Sequence, residues 1–128
     1  MKIEQIATSK APQAVGPYSQ GIKVEAGSLI FTSGQLPIIP ETGELLKDDI
    51  KKETLQSLKN VEAILKESGA TIEDIVKVNV YIRNMAEFPL INEVYEEFFG
   101  EHKPARSLVE VAKLPKDGNI EIEAIAVI

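Results

Sequence analysis

Residues 75–82 read Ile75-Val76-Lys77-Val78-Asn79-Val80-Tyr81-Ile82, with apolar and polar side chains alternating strictly from Val76 onward. Successive side chains of a β-strand point to opposite sides, so a period of two indicates a strand with one covered face. The pattern places Val76, Val78, Val80 and Ile82 on the covered face and Lys77, Asn79 and Tyr81 on the other.

Amphipathic helices are predicted on both sides of this strand. Across residues 48–68 apolar side chains recur at steps of three and four, Asp48 or Asp49 can cap the start, and Gly69 can end the helix. A second helix is predicted over residues 89–99. Its apolar side carries Ile91, Val94, Tyr95, Phe98 and Phe99, and Gly100 follows it.

The remaining segments predict strands, over residues 3–8, 21–25, 28–33, 106–114 and 120–128. The second and third are expected to form a hairpin around Ala26-Gly27. This order of elements predicts one α+β domain over residues 1–128, with both helices on one face of a mixed sheet. The final strand carries apolar residues on both of its faces, so another subunit is expected to bury the second face.

Composition narrows the classes of function. The chain has 20 acidic and 14 basic residues, a formal charge of −6, and no cysteine. Nucleic-acid binding relies on Lys and Arg at the phosphate backbone, so this balance argues against it. Thiolate nucleophiles and thiolate metal sites are excluded. No apolar run approaches the roughly 18 residues of a membrane span, and no signal sequence precedes the first predicted strand, so we expect a cytoplasmic protein away from membranes.

Signatures of cofactor binding are missing from the sequence. There is no Gly-x-Gly-x-x-Gly or Walker loop, and the single histidine, His102, cannot form a histidine cluster. We therefore expect neither cofactor nor metal. His102 lies in a polar loop after the second helix and is interpreted as solvated. Ser33-Gly34-Gln35 lacks the flanking glycine of a nucleophile elbow.

Three features could carry chemistry. Arg106 opens an apolar strand and offers a planar fork for a carboxylate, or else it forms an ion pair with one of the many glutamates. Glu121 and Glu123 share one face of the last strand, either as an acid or base of raised pKa or as a solvated pair. Tyr18 lies in the turn Gly16-Pro17-Tyr18-Ser19-Gln20-Gly21. The residues alone leave these alternatives open.

Read together, several segments resemble the reactive intermediate deaminase family, also called YjgF-like and including the RidA subgroup. They are residues 14–21 (AVGPYSQG), 32–37 (TSGQLP), 92–99 (NEVYEEFF), 104–107 (PARS), 114–117 (LPKD) and 120–124 (IEIEA). The resemblance covers nearly the whole chain. It implies a chorismate-mutase-like α+β fold that assembles as a homotrimer, with active sites between subunits.

The resemblance also implies an activity, the hydrolysis of 2-iminobutanoate and 2-iminopropanoate to 2-oxo acids and ammonia without a cofactor. On matching positions, Arg106 resembles the arginine that binds the substrate carboxylate, and Glu121 the acid that activates water. The positions that resemble the lining of the same cleft are Tyr18, Ser33, Gly34 and Asn92. Leu108 stands in that cleft where many members carry cysteine.

Two other functions remain open at this point. One is RNA cleavage or inhibition of translation, an activity also attached to the family, which the acidic balance and the lack of a histidine pair disfavour. The other is a non-catalytic module that binds a small molecule or a partner. The presence of Arg106 favours catalysis over that module.

Overall fold

A computed structural model describes residues 3–128. The helices are α1 (Ile50–Glu67) and α2 (Phe88–Phe99). The strands are β1 (Ile3–Ile6), β2 (Gly21–Val24), β3 (Leu29–Phe31), β4 (Ile75–Ile82), β5 (Ala105–Glu110) and β6 (Ile120–Val127). Within this range no helix is both long and apolar enough to cross a membrane.

The main sheet has four strands in the order β3-β6-β4-β5. Strands β4 and β5 run parallel, whereas β6 is antiparallel to both β4 and β3. Both helices cover one face of this sheet, which we call the inner face, because Leu58 of α1 and Ile91 of α2 join Val80 and Ile122 in one buried cluster. The predicted α+β fold with two helices on one face of a mixed sheet is thereby confirmed.

Helix α1 begins after the predicted capping aspartate and ends before the predicted terminating glycine. The Asp49 carboxylate accepts hydrogen bonds from the backbone N–H groups of Lys51 and Lys52. Gly69 follows the helix with a φ of +85°, a left-handed conformation that glycine adopts without strain. The predicted start and end of this helix are therefore confirmed.

The predicted hairpin around Ala26-Gly27 is wrong. Strand β2 pairs with β1 in a separate two-stranded sheet, whereas β3 pairs with β6 in the main sheet. Pairing with β6 lets Ile30 pack against the core beside Ala126, a burial of apolar surface that a local hairpin would not provide. Strand β5 also ends at Glu110 rather than at Leu114, because its partner β4 ends at Ile82.

A β-bulge changes the predicted face of β4 at its start. Ile75 pairs with Ala126 and Lys77 with Ile125, so Val76 is an extra residue on this strand. Ile75 is consequently buried in the core, and Val76 is only half-buried. The alternation predicted from Val78 onward is confirmed, with Val78, Val80 and Ile82 buried.

The outer face of the sheet, opposite the helices, exposes large apolar side chains. Phe31 is 66% exposed, Leu29 59% and Val109 46%. These residues lie on the outer strands and flank a half-buried polar centre formed by β4 and β6. Exposure of several large apolar side chains on one face is typical of a surface that another protein covers.

Removing the side-chain hydroxyl should change the free energy of unfolding in opposite directions at Tyr95 and Tyr81. The Tyr95 hydroxyl is buried without a hydrogen-bond partner among residues 3–128, whereas the Tyr81 hydroxyl donates to Glu123 Oε1 at 2.6 Å. We expect Tyr95→Phe to raise the free energy of unfolding by about 1 kcal/mol and Tyr81→Phe to lower it by a similar amount. Urea unfolding of the two variants measures the difference, and the reverse order would contradict these hydrogen-bond assignments.

Candidate functional site

Arg106 lies on the inner face of the sheet, beneath α2. In the β4–β5 register it lies opposite Val78, whose side chain is buried in the core. Its half-buried guanidinium donates from Nη1 to Asn92 Oδ1 on α2 at 2.7 Å. The first turns of α2 therefore fix where this cation sits.

Three aromatic rings surround the Arg106 guanidinium. Cζ lies 4.7 Å from the ring centroid of Tyr95, 5.3 Å from that of Tyr18 and 5.8 Å from that of Phe88. Arginine stacked on aromatic faces gains cation–π attraction and loses side-chain freedom. The rings hold the guanidinium while leaving part of its hydrogen-bonding edge unused.

Phe88 and Tyr95 are residues of the candidate site that the sequence interpretation missed. It placed Tyr95 only on the apolar side of the helix and gave Phe88 no role. Positions 88, 92 and 95 are spaced by four and three residues, so they share one face of α2. That spacing around Asn92 is the signal that could have found them.

Arg106 has no carboxylate partner in the part of the chain that the structure describes. The ion pairs there are Lys47–Asp117, Lys51–Glu93 and Arg83–Asp117. The alternative of an ion pair with a glutamate is therefore wrong. Burial lowers the pKa of Arg106, but arginine remains charged in proteins. A partly buried cation whose hydrogen-bond partner is a neutral amide is suited to binding an anion.

The turn that carries Tyr18 is attached to the start of β5. The Ser19 backbone N–H donates to the Pro104 carbonyl at 3.2 Å, and its hydroxyl donates to the Lys103 carbonyl. The backbone of this turn also runs close to the guanidinium, since a Cβ at Gly16 would lie 3.5 Å from Arg106 Nη2, an ordinary contact distance. Tyr18 is thereby kept beside the guanidinium.

A pocket of about 280 Å³ opens beside Arg106. Its lining residues are Val15, Tyr18, Met85, Phe88, Arg106 and Leu108. Of the site residues predicted from the sequence, Tyr18, Asn92, Arg106 and Leu108 are therefore brought together at one end of the inner face.

Glu121 lies in a second cluster with Gly34, the residue that follows Ser33. The Thr32 backbone N–H donates to the Ala124 carbonyl, and the Gln35 backbone N–H donates to the Ile122 carbonyl. Between these two bonds the chain after β3 has two residues, whereas β6 has only one. The resulting bulge brings Gly34 so close that a Cβ there would lie 2.6 Å from Glu121 Cδ. Bulges of this kind are frequent beside active sites.

The environment of Glu121 favours its neutral form more than water does. Partial burial raises the pKa of its carboxyl, and the nearby charge of Glu123 raises it further. Glu123 accepts hydrogen bonds from Tyr81 Oη at 2.6 Å and from Asn79 Nδ2 at 3.3 Å. The alternative of a solvated glutamate pair is therefore wrong, since both side chains are half-buried and Glu123 is bound within the sheet.

The two clusters do not meet within one copy of the chain. Arg106 of β5 and Ala124 of β6 both pair with Val78 of β4. Glu121 pairs with Tyr81, three residues further along β4, and projects from the outer face. Two strand spacings across the sheet and three residues along it separate the two Cα atoms by about 14 Å. Their side chains also point to opposite faces.

His102 is not the solvated loop residue that was expected. Its ring is half-buried, and Nε2 lies 2.8 Å from the Ile75 carbonyl oxygen. The histidine thus ties the loop after α2 to the start of β4. Over residues 3–128, no three His, Asp or Glu side chains are grouped so that they could hold a metal ion.

Known proteins resemble this chain over nearly its whole length. A sequence model of the family described as Endoribonuclease L-PSP matches residues 8–128. The chain belongs to this family. A RutC family protein of Pyrococcus abyssi is 56% identical over 126 residues, which are 98% of each chain. A 2-iminobutanoate/2-iminopropanoate deaminase of Escherichia coli is 52% identical over 125 residues, 95% of each.

A solved structure of a similar protein shares the fold. The crystal structure of Escherichia coli TdcF with bound serine aligns with a TM-score of 0.76 at 49% identity, covering 98% of each chain. The resemblance to the reactive intermediate deaminase family, drawn above from short motifs, is thereby confirmed. Relatives at about 50% identity are named as a reactive intermediate deaminase and as a 2-iminobutanoate/2-iminopropanoate deaminase.

The contact between Gly34 and Glu121 gives a prediction within this family fold. In Gly34→Ala the new methyl group would meet the flexible end of Glu121, so the carboxylate should move aside while the fold is kept. If Glu121 acts in catalysis, we expect deaminase kcat to fall about tenfold or more, since small displacements of a catalytic group are costly. Gly21→Ala is the matched control, because a Cβ there makes only ordinary contacts of 3.7 Å with Ile6. Equal loss in both variants would contradict the prediction.

Proposed function

We propose that this protein hydrolyses 2-imino acids, with 2-iminobutanoate and 2-iminopropanoate as substrates, to 2-oxo acids and ammonia. The observation that carries the proposal is the Arg106 guanidinium, half-buried, enclosed by three aromatic rings and without a carboxylate partner among the described residues. The names of relatives at about 50% identity support the same activity.

Arg106 would bind the carboxylate common to all 2-imino acids. Asn92 occupies Nη1, which leaves Nη2 and Nε to donate to the substrate. Tyr18, Tyr95 and Phe88 keep the guanidinium in place, so little side-chain freedom remains to be lost on binding. A fixed carboxylate in turn fixes the adjacent imine carbon for attack.

Glu121 would act as the general base and then as the general acid. A protonated imine is electrophilic, so water adds to its carbon as Glu121 takes one water proton. The carbinolamine then collapses: Glu121 returns its proton to the amino nitrogen, the C–N bond breaks to release ammonia, and the hydroxyl proton passes to that ammonia as the C=O bond forms. One protonated imine and one water give one 2-oxo acid and one ammonium ion, so atoms and charge balance.

The two clusters can act on one substrate only if they come from different copies of the chain. Within one copy they are about 14 Å apart and on opposite faces. The exposed apolar side chains of the outer face, Leu29, Phe31 and Val109, offer a surface on which a neighbour could pack. We therefore propose a homotrimer in which Arg106, Tyr18, Asn92 and Leu108 of one copy face Glu121, Ser33 and Gly34 of the next.

The activity is tested by following imine decay. Threonine dehydratase generates 2-iminobutanoate in the assay, and semicarbazide traps what has not been hydrolysed. The wild-type protein should suppress formation of the semicarbazone, whereas Arg106→Ala should not. Equal trapping with both proteins would contradict the proposal.

RNA cleavage, the activity that the name Endoribonuclease L-PSP describes, finds less support. His102, the single histidine, is engaged with the Ile75 carbonyl rather than placed beside Glu121. Incubation of highly purified protein with RNA tests this alternative, and RNA loss that depends on Glu121 would favour it.

A further inference from the structure

We infer that Glu53 is a positioning residue for Glu121, because it holds Asn119, the residue that directly precedes β6, in a fixed place. The inference rests on the proposed function and adds to its machinery a buried carboxyl that no proposed step uses. Glu53 lies on the first turn of α1 and is only 1% exposed.

Both carboxylate oxygens of Glu53 accept hydrogen bonds. Oε2 accepts from the backbone N–H of Asp49 at 3.1 Å, and Oε1 accepts from Nδ2 of Asn119 at 3.0 Å. The first bond caps the start of the helix that carries Glu53, a common use of a carboxylate at this place. The second joins α1 to a residue 66 positions later in the chain, and helix capping does not require it.

The surroundings of Glu53 do not favour a buried charge. Burial raises the pKa of its carboxyl, and the nearby charges of Glu87 and Asp49 raise it further. None of the ion pairs among residues 3–128 includes Glu53. A buried carboxyl without a cation contributes little to stability even when it is hydrogen-bonded. This favours a role in holding Asn119 over a role in stability alone.

The segment before Asn119 is strained. Lys116 and Asp117 both have a φ of +58°, in the left-handed region that residues other than glycine rarely adopt. Such conformations persist where the surrounding structure holds them. Asp117 forms two ion pairs, but its side chain is 77% exposed, so these contacts hold the segment weakly. The bond between Asn119 and the buried Glu53 is the firmer attachment.

The constraint passes from Asn119 along the backbone to Glu121. The Asn119 carbonyl accepts from the Arg83 backbone N–H at 3.1 Å, and Ile120 follows as the first residue of β6. Glu121 is therefore the second residue of its strand, close to an end, where local opening is easiest. Holding Asn119 limits this opening and keeps the Glu121 carboxyl in one place.

Glu53→Gln tests this role, because it keeps the size of the side chain but replaces one accepting oxygen with an amide donor. One of the two hydrogen bonds is then lost. We expect kcat for 2-iminobutanoate to fall about fivefold to tenfold, since small displacements of a catalytic group are costly. The Kd of 2-oxobutanoate, measured by calorimetry, should stay within about twofold, because Arg106 and its three rings lie on other elements.

Two further variants accompany Glu53→Gln. Asn119→Ala removes the same hydrogen bond from its half-buried end and leaves the cap of α1 in place, so it should give the same fall in kcat at constant Kd. It also carries the test if the substitution of the buried residue prevents folding. Glu67→Gln, an exposed position at the other end of α1, is the matched control and should keep the wild-type kcat.

A reversed pair separates positioning from a general loss of stability. In the double variant Glu53→Gln, Asn119→Asp the new amide can donate to the new carboxylate, so the bond reforms with donor and acceptor exchanged. We expect its kcat to exceed that of Glu53→Gln about threefold or more. Wild-type kcat in both Glu53→Gln and Asn119→Ala, a Kd that worsens in step with kcat, or no recovery in the double variant would overturn the inference.

Hydrogen exchange gives a readout that does not depend on activity. In Glu53→Gln the backbone amides of residues 119–122 should exchange faster than in wild type, whereas those of β5 should not change. If no imine is hydrolysed but exchange responds in this way, the role of Glu53 stands and the deaminase is wrong. If 2-iminobutanoate is hydrolysed and neither kcat nor exchange responds, the role of Glu53 is wrong and the deaminase stands.

Discussion

Replacing Arg106 by alanine should lower kcat/KM for 2-iminobutanoate by about a hundredfold or more. Removing one partner of a partly buried, hydrogen-bonded charge pair costs on the order of 2–5 kcal/mol, and here the substrate carboxylate would enter an apolar pocket with no cation. Arg106→Lys should recover only part of the loss. A lysine ammonium is a point charge without the planar fork that arginine offers to a carboxylate and to the surrounding rings.

Arg83→Ala is the matched control for this experiment. Arg83 forms an ion pair with the exposed Asp117 and does not line the pocket, so its loss removes the same kind of side chain from another place. The semicarbazide assay gives the rates, and circular dichroism shows that both variants fold. Comparable rates for Arg106→Ala and Arg83→Ala would mean that Arg106 does not bind substrate.

Glu121→Gln should lower kcat by about a hundredfold to ten-thousandfold, the range typical of a lost general base. Glutamine keeps the size of the side chain beside Gly34 but cannot take a proton from water. Binding of 2-oxobutanoate should stay within a few-fold of wild type, because Arg106 still holds the carboxylate. A large fall in affinity with kcat unchanged would assign Glu121 to binding instead.

The pH dependence of wild-type activity should reflect the ionisation of Glu121. The base must be ionised, and burial together with Glu123 raises the pKa of Glu121 above its ordinary value of 4.5. The acidic limb of the profile should therefore lie above that value. In Glu123→Gln the neighbouring charge is gone, so the limb should move to lower pH while substantial activity remains. A limb that stays in place would show that another group controls it.

Local patterns predicted the elements of this fold well. The alternation of residues 75–82, the apolar stripes of both helices and the cap at Asp49 each depend on neighbours within a few positions. Their bounds differ from the prediction by only a few residues. The hairpin failed because β3 pairs with β6, nearly a hundred residues later, and burial of Ile30 outweighs a favourable local turn.

The proposed site was predicted from the sequence as a set of residues but not as an arrangement. The family motifs name Arg106 and Glu121, yet only the register across β4 places them at different levels and on opposite faces. The bulges at Val76 and at Ser33-Gly34 depend on pairing between distant segments, which no local pattern reports. The rings of Phe88 and Tyr95 gain their role only when β5 brings Arg106 beneath α2.

Subunit mixing tests the central claim, an active site shared between copies of the chain. Arg106→Ala and Glu121→Gln proteins, each inactive, are unfolded together in equal amounts and refolded so that their subunits exchange. In a closed ring, a site that takes Arg106 from one copy and Glu121 from the next is intact when each copy supplies the unmutated residue. Random assembly gives a probability of one half for each, so we predict about one quarter of wild-type activity. Activity no higher than that of the separate variants would contradict a shared site.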